Sequence, residues 1–329
     1  MNSPRAWFAH AGRRVTAFVS APVSPEPLGV FRIGVALVLL LQAWSLADHL
    51  PLLFGDRGLA PWRLSEPLAS RWVPHLGTAV TFFQQWGVSS RVCIAGLASV
   101  YALGLVGLLL GWRTRMCAVG VWLLHTILVS SNSLLVYGLE TFAHISLFYC
   151  AVMPVGAAFS LDRRAGRVSG EPSAEMTLSL RVLQLHLCIM YFMTGFEKSL
   201  GAPWQSGEAL WKILMQPQYS RYDFAWLAAM PWLVKALSWG TLVVEVGYPV
   251  FIWPRRTRAF WALMTLGLHA GIAVFMGLWM FGGIMSVLTF AAFGWESFKP
   301  WVAPWVRKLA PRGMKSEGTT GQAPTPEGL

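Results

Sequence analysis

Apolar and polar positions alternate along this chain on the scale of whole helices. Runs near 28–50, 92–112, 116–135, 141–160, 178–197, 233–253, 259–279 and 281–297 are dominated by Leu, Val, Ala, Phe and Trp. At about 1.5 Å of rise per residue, each can cross a hydrocarbon core of about 30 Å, the last only just. The pattern predicts an all-α fold, a polytopic membrane helix bundle of about eight transmembrane helices. The gaps give direction. Arg113 and Arg115, then Arg163, Arg164, Arg167 and Arg181, then Arg255, Arg256 and Arg258 fall in alternate gaps, and short basic loops resist translocation. These gaps are expected in the cytoplasm and the intervening ones outside, which puts both termini inside a bacterial-type cytoplasmic membrane. The expected division is a cytoplasmic segment 1–27, a transmembrane domain 28–297 and a cytoplasmic tail 298–329, disordered beyond Arg312 where Gly, Pro, Thr and Glu dominate.

Two external gaps, 51–91 and 198–232, are far longer than a turn needs and rich in Trp, Pro and Leu. Such composition suggests interfacial helices on the outer face, for example Gly77 to Trp86 and Gly207 to Leu214. Near the start, Trp7 to Val19 reads as an amphipathic surface helix. Arg13-Arg14 resembles an export signal, but a full span follows without a small-residue cleavage site, so a retained anchor is expected.

Composition narrows the class further. With 55% hydrophobic and 12% charged residues and mean hydropathy +0.51, the chain does not resemble a soluble enzyme, and the lipid bilayer is its first partner. The net charge of +11 comes from Lys and Arg flanking apolar runs, not from a basic stripe, so no nucleic acid is expected. Many of the eighteen Trp, including Trp62, Trp72, Trp86, Trp112, Trp204, Trp253 and Trp295, sit near run ends, where an indole keeps its ring apolar and its N–H wet. Cys93, Cys117, Cys150 and Cys188 are scattered without metal-ligand spacing and read as small buried hydrophobes. Cys93, near an outer end, leaves a disulfide open.

Ionisable residues inside apolar runs cost several kcal/mol and usually face a bundle interior, so they are the candidates for chemistry. Arg32 lies a few residues into the first run, either reaching out to lipid phosphates or paired within the bundle. Glu140 and His144 are one helical turn apart and share a face, placed to hydrogen-bond. Glu245 lies mid-run and needs a partner. His269 and His125 are the other intramembrane candidates, each a possible helix-packing bond or proton relay. Lys198 stands where the fifth run meets the outer interface, either an anchor beside Trp204 or a base toward an amphiphile entering from the membrane.

The segment Tyr191-Phe-Met-Thr-Gly-Phe-Glu-Lys198, with Trp204 and Gly207 downstream, resembles the horizontally transferred transmembrane (HTTM) family, to which the membrane part of vitamin K-dependent gamma-carboxylase belongs. Other similar passages are Phe31-Arg32-Ile33-Gly34, Gly55-Asp56-Arg57-Gly58, Met153 to Asp162, Glu245 to Pro249, and His269 followed by Phe275. Their order along residues 28–297 carries the resemblance. It implies that the Lys matching Lys198 is the base that deprotonates reduced vitamin K on the non-cytoplasmic side, in a carboxylation of glutamate. Glu197 stands where a second basic residue would be expected.

Two kinds of function follow, with a third beside them. One is a partner in the maturation or export of a secreted peptide or protein, similar to the HTTM protein that helps mature a secreted peptide toxin in bacteria, and needing only a groove on the outer face. Another is a gamma-carboxylase-like enzyme using a reduced isoprenoid quinone, with Lys198 as catalytic base and Arg32, Glu140, His144, Trp204, Glu245 and His269 shaping the binding site. A lipid or small-molecule transporter is the third.

Overall fold

Caps set the helix limits. The computed structural model describes residues 4–301 apart from 56, 57, 59, 60, 62, 64–72, 132–136 and 220. Asp56, Arg57, Trp62, Trp72 and the tail beyond 301 lie outside the described residues. In chain order, α1 (Pro4–Ser20) precedes α2 (Glu26–Leu46), which turns at Ala47–His49 into the short α3 (Leu50–Phe54). Then come α4 (Leu76–Gln84), α5 (Ser90–Leu110), α6 (Thr114–Ser130), α7 (Gly138–Val152) and the single turn α8 (Leu161–Arg164). The second half holds α9 (Ala174–Leu200), α10 (Ala202–Gln205), α11 (Ala209–Leu214), α12 (Pro231–Phe251), α13 (Arg255–Met276) and α14 (Trp279–Thr289), which runs on through a π-helical turn at Phe290–Gly294. Ser89 and Ser173 accept the N–H groups of Val92 at 3.4 Å and Met176 at 3.3 Å, opening α5 and α9. Gly111 at φ 67° and Gly277 at φ 71° end α5 and α13 in the left-handed region, where glycine has no Cβ to clash.

The fold is all-helical, with 80% helix; among the described residues the only extended pairing is an isolated bridge between Val23 and Ser173. Four helical stretches are long and apolar enough to cross a membrane, Glu26–Phe54, Ser90–Leu110, Ala174–Leu200 and Arg255–Met276, while Thr114–Ser130 and Gly138–Val152 are apolar but shorter. The fourth expected run therefore stops early. At Pro154, which lacks a backbone N–H, the chain leaves the helix, and 153–160 becomes a turn with a short 3-10 segment at Val155–Ala157. All four cysteines are free, so Cys93 has no disulfide.

The core forms around α2, whose Phe31, Val35, Ala36 and Leu39 have no exposed surface. This helix packs against α5, α7 and α14, joining the α5–α6–α7 group to the α9–α12–α13–α14 group. Arg32 ties its first turns in place. The side chain is fully buried, and the five N–H donors of its guanidinium meet five carbonyls. Nε donates to Val155 at 3.2 Å, Nη1 to Leu108 at 2.5 Å and Leu109 at 2.7 Å, and Nη2 to Ala158 at 3.3 Å and Phe159 at 2.7 Å. Leu108 and Leu109 end α5, whose last carbonyls have no partner within the helix and attract a cation. Arg32 therefore does not reach out to lipid phosphate, and no donor remains for a ligand. Two passages far apart in sequence, Phe31 to Gly34 and Met153 to Asp162, meet in one knot.

Asp162 completes that knot. Its carboxylate accepts from the backbone N–H groups of Arg113 at 3.0 Å and Thr114 at 2.7 Å, from the Thr114 hydroxyl at 2.7 Å and from Arg167 at 3.0 Å. Burial pushes the carboxyl up, yet the bonds from Thr114, Arg167 and Arg113 outweigh it and hold its pKa below the ordinary value. A carboxyl with a depressed folded pKa stabilises above its unfolded pKa and loses that contribution as pH falls through the folded one. Thermal stability in detergent is expected to drop as pH is taken from about 5 to 3, near and below the ordinary Asp value of about 3.9. Asp162→Asn is expected to be less stable at neutral pH and to show a flatter acid limb; an unchanged limb would remove Asp162 from this role.

Candidate functional site

Four helices converge at the end of the bundle opposite Arg32. In α9, Tyr191, Gly195 and Lys198 are spaced by four and three residues and share one face. Across from them α12 offers Glu245 and Tyr248, one turn apart, and α13 and α14 contribute His269 and Thr289. The Nζ of Lys198 donates to Oε1 of Glu245 at 2.5 Å. The pair is asymmetric, since the lysine side chain is 33% exposed and the glutamate 7%. Lys198 faces outward under the Trp204 ring, whose centroid lies 5.5 Å from Nζ, within the range of a cation–π contact. Trp204 belongs to α10, and its carbonyl accepts from the indole of Trp239 at 3.1 Å, fixing α10 to α12.

The approach of α9 and α12 depends on Gly195. A Cβ at this position would lie 2.8 Å from Cβ of Glu245 and 3.0 Å from the backbone N of Val246, closer than packed carbons tolerate. Gly195→Val is expected to force the helices apart and break the ion pair, lowering the melting temperature by several degrees; a cysteine crosslink between α9 and α12 that still forms at the wild-type rate would show otherwise.

Behind the ion pair lies a buried polar seam. The Tyr191 hydroxyl is 2.7 Å from Nε2 of His269 and 3.4 Å from the Thr289 hydroxyl, and the Tyr191 and Tyr248 rings stack with centroids 4.3 Å apart. Among the described residues, three buried polar atoms here meet no hydrogen-bond partner: Oε2 of Glu245, the Tyr248 hydroxyl and Nδ1 of His269. Such atoms are rare in folded chains and mark functional or strained places. Tyr191, Tyr248 and Thr289 were not among the sequence candidates, although the spacing of Tyr191 from Lys198 and of Tyr248 from Glu245 places each on its partner's face.

The other candidates lie elsewhere. Arg32 is consumed in its knot. Glu140 and His144 share a face of α7 but turn to different partners: Oε1 of Glu140 accepts from Gln42 at 3.1 Å and Oε2 from the Tyr137 backbone N–H at 3.0 Å, while Nε2 of His144 accepts from the Trp122 indole at 3.2 Å. His125 lies between Tyr101 and the Glu140 backbone. The structure thus brings Lys198, Glu245 and Trp204 into contact, with His269 one tyrosine away, and keeps Glu140 and His144 in a second group.

Tyr191 and Tyr248 are fully buried and stacked on one another behind the ion pair. An apolar cavity of about 450 Å³ is lined by parts of α2, α3, α5 and α6 together with Glu140, not by Lys198.

No curated protein and no solved structure matches this chain. The family model described as HTTM domain matches residues 20–295, which takes in the Arg32 knot, the Lys198–Glu245 pair and the polar seam. With its apolar helices, the chain is a multi-pass membrane protein that belongs to the HTTM domain family.

Proposed function

We propose that this protein acts on the extracytoplasmic side of a bacterial-type cytoplasmic membrane, in the maturation or export of a secreted peptide or protein. The observation that carries this reading is the cap at the Lys198 end. The segment between α9 and α12 holds α10, α11 and a 3-10 turn at Ala225–Ala229, and α11 is held to α12 by the bond from the Leu210 N–H to the Ser238 hydroxyl at 3.1 Å. Phe224 and Leu227 are turned inward, whereas Tyr222, Trp226 and Trp232 are exposed. Exposed aromatic surface on a rigid support is what a peptide partner binds. The loop charges favour eight crossings by α2, α5, α6, α7, α9, α12, α13 and α14, with both termini cytoplasmic. α4 and the cap then lie at the outer interface.

The test compares peptides in the culture medium by mass spectrometry from cells with and without the protein. Trp226→Ala combined with Trp232→Ala is expected to reduce the mature secreted species at least fivefold while membrane levels of the protein stay unchanged. A peptide profile indifferent to the deletion would end this reading.

A second reading, an acid–base enzyme with Lys198 as base, is favoured by the three unpartnered atoms beside the pair. It requires Lys198→Met to abolish the product from a folded protein and the cap variant to act mainly on substrate affinity.

A further inference from the structure

Arginines from three elements gather where α1 meets the bundle. Phe18, near the end of α1, packs its ring 5.5 Å from that of Trp253, in the turn between α12 and α13. The Arg181 guanidinium of α9 lies over this contact, 4.4 Å from the Phe18 centroid and 5.8 Å from the Trp253 centroid, and its Nε donates to the Phe18 carbonyl at 3.0 Å. Arg258 of α13 reaches the same turn, donating to the Ile252 carbonyl at 3.3 Å and the Trp253 carbonyl at 2.6 Å. Arg255 stands one helical turn before Arg258, and Arg14 one turn before Phe18, each on the same face as its neighbour; both arginines are exposed.

This positive charge is not balanced from within. Arg258 is close enough to Arg181 and to Arg255 for the like charges to act on one another. Glu296 also acts on Arg258, but among the described residues none of these four arginines forms an ion pair. A guanidinium has five N–H donors. Arg181 spends one on Phe18 and one on Gln184 at 2.7 Å, and Arg258 spends two on the turn carbonyls. The donors that remain sit on forks already fixed in place, and such forks suit the oxygens of a phosphate.

The apolar ground beside Arg181 decides between a free anion and a lipid. On α9, Leu178, Val182 and Leu185 are spaced by four and three and lie on the same side of the helix as Arg181; they are 54%, 40% and 44% exposed. A soluble phosphate gains nothing from this wall, whereas acyl chains lie along it. The Trp253 indole and the long arginine stems fit the level where headgroups meet hydrocarbon.

We propose that this junction binds one anionic phospholipid, its phosphodiester held by Arg181, Arg255 and Arg258 with Arg14 beside it, and its chains on the outward face of α9. Basic clusters beside membrane-spanning helices draw such heads, and here the lipid bridges α1 to α9 and α13. Arg181 is about 25 Å from Lys198 along α9 at 1.5 Å of rise per residue, so the site does not depend on the function proposed above.

The test is native mass spectrometry of the full-length protein released from detergent after incubation with equal amounts of phosphatidylglycerol and phosphatidylcholine carrying the same chains. Wild type is expected to keep one phosphatidylglycerol at roughly tenfold the level of phosphatidylcholine. Arg14→Gln combined with Arg255→Gln changes only exposed side chains and is expected to lower that adduct at least fivefold without moving the melting temperature. Arg163→Gln combined with Arg164→Gln removes the same charge from another basic turn and is expected to leave the adduct unchanged. Millimolar inorganic phosphate is expected not to displace it. Equal retention of the two lipids, equal loss in the two double variants, or displacement by inorganic phosphate would each overturn the proposal, the last by making this a site for a free anion.

Discussion

Arg32→Met is expected to abolish recovery of monodisperse protein from membranes. The guanidinium is fully buried and serves five carbonyls from two separate segments. A buried polar group left without its partner costs roughly 1–3 kcal/mol; the Leu108 carbonyl keeps the Gly111 N–H at 3.1 Å, so the other four amount to about 4 kcal/mol even at the low end. That approaches the whole stability of many domains, about 5–15 kcal/mol. Arg32→Lys should not rescue it, because an ammonium has three donors without the planar fork. Size-exclusion chromatography of a fluorescent fusion checks both variants. A sharp peak and near-normal melting temperature for Arg32→Met would show that the carbonyls find other partners and that the knot is dispensable.

The next largest effect belongs to the Lys198–Glu245 pair, and it should be asymmetric. Breaking a buried pair by removing one partner costs about 3–5 kcal/mol, a figure that must be reduced here because Lys198 is one-third exposed. Lys198→Met strands a carboxylate that is almost wholly buried, and about 2–3 kcal/mol is expected. Glu245→Gln strands an amine that can turn to solvent, and about 1 kcal/mol is expected. Replacing both by Met should recover most of the loss, since two apolar side chains of similar volume leave nothing uncompensated. Thermal melts of the four proteins measure this cycle. Equal losses in the two single variants, or no recovery in the double one, would contradict the geometry. The same proteins separate the two functional readings: a folded double variant that still supports maturation makes the pair a structural tie, and one that does not makes it part of the chemistry.

Much of this was legible in the sequence, and its gaps have physical causes. Helix positions follow from apolar runs, so α2, α5, α9 and α13 fall close to the expected spans. The short helices Leu76–Gln84 and Ala209–Leu214 form where the Trp- and Leu-rich gaps suggested them. The run expected over 141–160 ended at Val152 because Pro154 and the carbonyls claimed by Arg32 outweigh hydrophobicity. Within the site, Lys198, Glu245 and His269 stood out because ionisable residues are rare in apolar runs. Pairing Lys198 with Glu245 was not legible, since no local pattern links residues forty-seven apart. Tyr191 and Tyr248 escaped notice for another reason: aromatic residues are common in such helices, and only their register with Lys198 and Glu245 marks them.

The Arg32 knot also has a consequence for biogenesis. Its acceptors lie 76 to 127 residues downstream, so the first apolar helix emerges from the ribosome long before its guanidinium has anything to bind. Until residue 159 is made, that helix carries an uncompensated cation, and it cannot settle until α5 and the 155–159 turn arrive. Nascent chains stopped before this turn should be recognised by quality-control proteases as unassembled, and those stopped just after it should be the first to persist.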